Sequence, residues 1–294
     1  MLTFVVFTLD LTPSTNLSAM KKLNLFPALF ASLTIVIAAC GGGGEAENTG
    51  PKYNYEKADS LPSGYLEELG VVKTNIESSA ALFSHMNEKG YAFNESALLS
   101  ASKSFSGASK QAMGIGAIGS DLVYSASYGQ TQSAMDRLKG LLSTASSLGV
   151  VEAFNEELIT KMASDDSTVN KSVMLTKAYL NAKDQLFSEE RAQYATFMII
   201  GGFVEGLHVS CQSMKDDIKD DQVRIGFFEI VNSIGSVQHL CRVFESNAEM
   251  KKLGEDLHGL DPLIKAIKKN AKGYTKEDVA ALADAVASIR NSSF

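Results

Sequence analysis

Alternating β-branched runs flanked by tight turns are nearly absent from this 294-residue chain, so a sheet-based fold is not expected. Proline is scarce: there are five, four of them before Ser63, so little interrupts a helix beyond that point. No Gly-x-Ser-x-Gly elbow occurs, and the sequence places no base with an orienting group against a cysteine. Nucleophilic catalysis therefore finds no support. A basic excess is missing too. Beyond residue 39 the chain carries 33 acids and 25 bases, net −8, which argues against nucleic acid as a partner because phosphate contacts need a basic face.

What the chain does have begins at Met20-Lys21-Lys22, followed by an uncharged stretch from Pro27 to Ala39 that ends in Ile37-Ala38-Ala39-Cys40. The stretch is short of the roughly 20 apolar residues a bilayer span needs, and suits the core of a secretory signal. These residues resemble a bacterial lipoprotein signal peptide. The resemblance implies that residues 20–39 are removed, that Cys40 is lipidated, and that its acyl chains, palmitate among them, hold the protein to a membrane. Residues 1–19 have no Lys or Arg and contain Asp10, which does not suit the positive start of a signal; translation is expected to begin at Met20. Gly41 to Gly44 and the polar run after them cannot build a core, so residues 40–62 read as a flexible tether with a reach of about 25 Å. Sorting rules for the same family retain cargo with Asp after the cysteine at the inner membrane. Gly41 lacks that signal, so outer-membrane cargo facing the periplasm or the cell surface is expected.

Residues 63–294 read as a single all-α domain, a multi-helix antiparallel array with two central apolar, glycine-containing helices. Leu66, Leu69, Val72, Ile76, Ala80 and Phe83 recur at helical steps and predict a helix ending near Gly90. Asn94 predicts a cap for a short helix reaching Phe105, and a long helix is expected from Ala108 to Leu148, broken near Gly140. Ser167 and Ser188 predict the starts of two more, Asp216 to Asp221 a charged turn, Asp261-Pro262 a helix start, and Thr275 to Asp278 a capping box. The central pair are the segments around Met113 to Tyr124 and Tyr194 to Val204, apolar on every side; they share a faint pattern about 84 residues apart. Cys211 and Cys241, some 12 residues out of register across a hairpin turning near Asp220, are expected as buried free thiols rather than a disulfide.

Candidate site residues follow from the acids in these apolar helices. Asp121, Tyr124 and Tyr128 lie on one helical face, and Glu205 with His208 sits in the other central helix. Burying an acid alone costs several kcal/mol. These five therefore form either internal polar pairs that lock the bundle or, with Asp121, Tyr124, Glu205 and His208 as lining, a pocket for a small molecule or metal. Glu205-x-x-His208 and Glu255-x-x-His258 repeat the spacing of di-iron bundles, with Glu77, Glu152 and Glu229 available as further ligands; a di-iron oxidase is the enzymatic form this would take. The stretch Gly254 to Gly259 suggests a single turn, which weakens the second motif. Gly114-x-Gly116-x-x-Gly119 matches the dinucleotide fingerprint, but no buried strand precedes it, and close helix packing is the better account. His85-x-x-Glu88 is similar to the His-x-x-Glu of imelysin-like helical lipoproteins, a family linked to iron uptake; Phe83 stands where that family has glycine. The segments 118–124 and 201–207 look similar to stretches in uncharacterised helical lipoproteins of Bacteroidota, which implies a helical body and no activity. No cofactor is implied. The expected function is a non-catalytic, lipid-anchored envelope protein acting by contact with an unidentified envelope partner; the alternative is a ligand-binding lipoprotein.

Overall fold

The computed structural model describes residues 64–164, 169–188, 191–269 and 273–294. Cys40, the signal and the tether lie outside them. Among the described residues every regular element is helical. Along the chain these are α1 (Tyr65–Glu88), α2 (Ala108–Ser127), α3 (Thr131–Leu148), α4 (Glu156–Ala163), α5 (Lys171–Ser188), α6 (Ala192–Met214), α7 (Asp221–Asn232), α8 (Ile234–Val243), α9 (Ala248–His258), α10 (Asp261–Lys269) and α11 (Lys276–Ser293), with 3-10 turns at Glu95–Ala97 and Val151–Ala153.

Helices α2 and α6 form the centre. Each is apolar around most of its circumference, and α1, α3, α5 and α11 pack about them. Their contact is backbone on backbone. A Cβ built on Gly116 would stand 1.9 Å from the Met198 carbonyl oxygen, and one on Gly201 would stand 2.2 Å from the Met113 carbonyl oxygen. Further along, a Cβ on Gly206 would meet Ser120 Oγ at 3.2 Å. Contacts advance together along both helices, so the two run parallel. They are also reciprocal: Met198 and Gly201 lie 85 positions after Met113 and Gly116, and each glycine receives the other helix's methionine carbonyl. The faint sequence repeat thus corresponds to a local two-fold exchange of contacts. Glycine is required here because any side chain would push the helices apart.

Several boundaries differ from expectation, each for a local reason. The break after α2 falls at Tyr128 to Gln130, where Gly129 takes φ 66°, not at Gly140. Gly140 sits inside α3, where its missing side chain admits the Ala101 carbonyl, 3.0 Å from where a Cβ would be. After Asn94 only the single 3-10 turn forms. Asn94 makes no side-chain cap; its N–H donates to Tyr124 Oη (3.0 Å), and the Leu99 N–H donates to Asp121 (2.8 Å) instead of continuing a helix. Asn170 rather than Ser167 begins α5, accepting from the Val173 N–H at 3.0 Å. Helix α6 begins at Ala192, later than Ser188 predicts. Gly254 to Gly259 is not a lone turn. It ends α9, which Asn247 caps by accepting from Glu249 and Met250 and which buries Met250, Leu253 and Leu257.

Other signals translate directly. Asp220 caps α7 by accepting from Gln222 and Val223 at 2.8 and 3.2 Å. Thr275 and Asp278 form the reciprocal capping box, with Thr275 N–H donating to Asp278 Oδ2 (2.8 Å) and Asp278 N–H donating to Thr275 Oγ1 (3.3 Å). Thr275→Ala removes one acceptor for an orphan N–H and is expected to cost about 1 kcal/mol in a urea melt. Cys211 and Cys241 are free and buried; burial pushes the Cys241 thiol up to about 12 and Cys211 higher still.

Candidate functional site

Asp121 and Glu205 project from α2 and α6 into the same buried space, both with 0% exposure. Glu205 is held by Arg290 of α11, whose Nε and Nη2 donate to Oε2 and Oε1, both at 2.7 Å. Such a paired fork is the strongest ordinary way to hold a carboxylate. Asp121 has a different environment. Its Oδ2 accepts from the Leu99 N–H (2.8 Å) with Arg137 Nε at 3.8 Å, whereas its Oδ1 has no donor and faces Glu205. Burial and the Glu205 charge push the Asp121 carboxyl well above its usual range. A proton on Asp121, donated to Glu205, satisfies both groups. Arg137 completes the set by donating to Glu95 (2.7 Å), to the Leu99 carbonyl (3.1 Å) and to Ser133 Oγ (2.6 Å). With that proton in place the two arginines balance Glu205 and Glu95, and the cluster is neutral. An unbalanced charge at this depth costs several kcal/mol.

His208 lies on the same side of α6, buried, with Nδ1 unpartnered and its ring donating to the Ala97 carbonyl, which also accepts from Arg290 Nη2 at 3.3 Å. Burial, then Arg290, lowers its pKa to about 4, so it is neutral at pH 7. The unfolded chain binds a proton at His208 near 6.5, so between pH 6.5 and 4 it holds more protons than the folded one. Stability contributed here is present above pH 6.5 and lost as pH falls toward 4, by about 3 kcal/mol. Asp121 acts oppositely, its contribution declining as pH rises above 3.8. His208→Gln is expected to flatten the acid limb of urea midpoint against pH, and Asp121→Asn to remove the opposing slope.

Tyr124 and Tyr128 stand apart from the carboxyl pair. Tyr124 is edge-on to Phe83 and stacked on Phe93, with ring centroids 5.1 Å away in both cases, and its centroid is 4.7 Å from that of Tyr128. The Tyr128 hydroxyl is buried without a hydrogen bond. These rings roof the end of α2, so the expected single face splits into a charged part and an aromatic part.

A separate cleft lies on another side of the central pair. Ala80, Phe83, Gly119, Val123, Leu175 and Phe203 are among its walls, and its volume is about 40 Å³. Residues 119 and 121 point about 200° apart on a helix, so Gly119 faces this cleft while Asp121 faces the charge cluster. None of Asp121, Tyr124, Glu205 or His208 lines the cleft.

The proposed metal ligands do not come together. Both Glu205 oxygens are taken by Arg290, Glu77, Glu152, Glu229 and Glu255 are exposed, and His258 bonds Asp261 Oδ2 at 3.3 Å. Among the described residues no three His, Cys, Asp or Glu side chains converge. His85 and Glu88 form a solvated pair at 3.3 Å. The Gly114 to Gly119 motif lies mid-helix, with Gly114 against the Phe105 ring and Gly116 against α6, not in a loop after a strand. Arg137 and Arg290 were not singled out from sequence, although Arg290 continues the apolar stripe of Ala283 and Val286, where a charge signals a buried partner. Compared with known proteins, the chain matches no family model, no curated protein and no solved structure.

Proposed function

We propose that this chain is a lipid-anchored, non-catalytic protein of the bacterial cell envelope that acts by contact with another envelope protein. The observation that carries the proposal is the signal ending in Cys40, followed by a tether. The body is consistent with it. Among the described residues the buried charges are spent on one another, as the Arg290–Glu205 fork and the neutral balance around Arg137 illustrate. Lipidation at Cys40 would anchor the protein, and Gly41 in place of a retaining Asp favours the outer membrane, with the body in the periplasm or at the surface.

Growth with an alkyne-bearing fatty acid should label the protein, and Cys40→Ser should abolish the label and release the protein from the membrane fraction. Cross-linking in intact cells should then recover one partner that the Cys40→Ser variant fails to capture. An unlabelled protein, or a label that survives Cys40→Ser, would overturn the anchor and with it the envelope assignment.

A second reading rests on the apolar cleft between α1, α2, α5 and α6, which gives a ligand-binding protein an entrance beside the glycine contact. Drug-sized ligands occupy about 300–1,000 Å³. At about 40 Å³ this cleft admits only a small apolar group unless the helices part, and for that reason it ranks second. Ligand-dependent thermal stabilisation, rising with the logarithm of ligand excess, would bring it forward.

A further inference from the structure

Positive charge in this acidic chain is gathered around helix α10. From Pro262 to Lys276 there are five lysines and no acid, whereas the rest of the chain beyond residue 39 carries 33 acids and 20 bases, net −13. A protein so divided has one short basic run and an acidic remainder.

The helix sorts these residues by face. Ile264 and Ile267 are buried and hold α10 against α7 and α11, with Leu263 half-buried beside them. Lys265, Lys268 and Lys269 are exposed, and their steps of three and four place them together on the side opposite the isoleucines. None of the three makes an ion pair or a hydrogen bond among the described residues. The one acid of α10, Asp261, is already engaged: Gln238 Nε2 donates to its Oδ1 at 2.8 Å, and His258 Nδ1 meets its Oδ2 at 3.3 Å. Helix stability does not account for the lysines. Like charges at these steps weaken a helix. The dipole favours Lys268 and Lys269 in the last turn, but it offers nothing to Lys265 and opposes Lys276, which opens α11.

The chemistry of the face selects its occupant. Lysine is a compact, flexible point charge without the planar fork by which arginine grips a single carboxylate, and it is depleted at protein–protein interfaces. Such a face fits many phosphates at variable positions, as a lipid surface offers. The tether keeps an anchored body within about 25 Å of the bilayer. We propose that the Lys265, Lys268 and Lys269 face of α10 docks on the anionic phospholipid headgroups of the membrane that holds the anchor. The inference depends on the proposed anchor, which supplies the bilayer, and adds the orientation of the body upon it. Three lysines favour the docked state on the order of 100-fold, while the acidic remainder is repelled and turned outward.

The test uses the full, lipidated chain carrying Ala266→Trp, reconstituted into vesicles that contain a headgroup nitroxide lipid. The chain has no tryptophan of its own, and Ala266 is exposed on α10 next to the lysines, so the introduced ring reports this face alone. Its fluorescence should be quenched at least about twofold more when phosphatidylglycerol is included than on phosphatidylcholine alone. High salt should remove the difference by shortening the screening length, and so should adding Lys265→Gln, Lys268→Gln and Lys269→Gln together. Equal quenching on both vesicles, with the protein floating with both, would overturn the docking and assign the lysines to an acidic protein while leaving the anchor intact. A difference that survives the triple substitution would also overturn it. A protein that fails to float with neutral vesicles refutes the anchor instead; flotation with anionic vesicles that the triple substitution abolishes would then still support the lysine face.

Discussion

Gly116→Ala is expected to cost about 3 kcal/mol or more, although alanine is the better helix former by about 1 kcal/mol. The added Cβ would lie 1.9 Å from the Met198 carbonyl oxygen and 2.6 Å from the Gly202 nitrogen, where atoms of this kind do not approach within 3.0 Å. Both obstacles are backbone, so no rotamer change relieves them. The helices must part by about 1 Å, and overpacking of a tight core costs 1–3 kcal/mol even when side chains can yield. The clash therefore outweighs the propensity gain. For a domain of this size the loss corresponds to roughly 6–12 °C in Tm. Gly201→Ala meets the Met113 carbonyl at 2.2 Å and should behave alike, and the double variant should lose less than the sum, because one displacement relieves both contacts. Gly235→Ala, with nothing within 4 Å, is the control and should be neutral or slightly stabilising. Thermal melts followed by far-ultraviolet circular dichroism read all four; an unchanged Tm in Gly116→Ala would mean that the two helices do not touch at this point.

Arg290→Met carries the other large effect. It leaves Glu205 and Asp121 facing each other at full burial without the paired guanidinium, and breaking a buried ion pair from one side costs about 3–5 kcal/mol. The deficit should depend on pH with a definite sign. Without Arg290 the folded pKa of Glu205 rises far above its unfolded value, so the folded variant holds a proton that the unfolded chain releases. Stability is then retained below about pH 4.3 and lost as pH rises through the folded pKa. Urea melts at pH 5 and 7.5 should show the gap from wild type widening toward the higher pH. Adding Glu205→Gln to Arg290→Met removes the stranded acid and should recover part of the loss, since paired removals cost less than single ones. If Arg290→Met loses nothing at pH 7.5, the fork is not formed in solution.

These two features differ in how far they could be read from the chain. Helix periodicity and the Thr275 box are local, and local chemistry was enough to place them. The central pair was legible because segments apolar on all sides have nowhere to go but the interior, and the glycines within them have no other use. The carboxylates Asp121 and Glu205 were legible as an anomaly for the same reason. Their partners were not. Arg290 carries only the signal of continuing an apolar stripe, and Arg137 lies within α3 with nothing in its spacing to mark it, until the loop carrying Ala97 and Leu99 closes over them; that loop fails to become a helix because its N–H groups are claimed by α2. Nothing in the order of residues 94–107 announces a contact that the rest of the chain must first create.

The glycine contacts join residues 82 and 88 positions apart, and the Glu205–Arg290 fork residues 85 apart, and these spans have a temporal meaning. Contacts this distant in sequence carry a large loop-closure entropy and form late. When the chain emerges from a ribosome or a translocation channel N-terminus first, α2 waits for α6, and α6 keeps an uncompensated acid until residue 290 has arrived. The interior cannot be completed piecemeal, so the chain remains threadable until residue 290 is through.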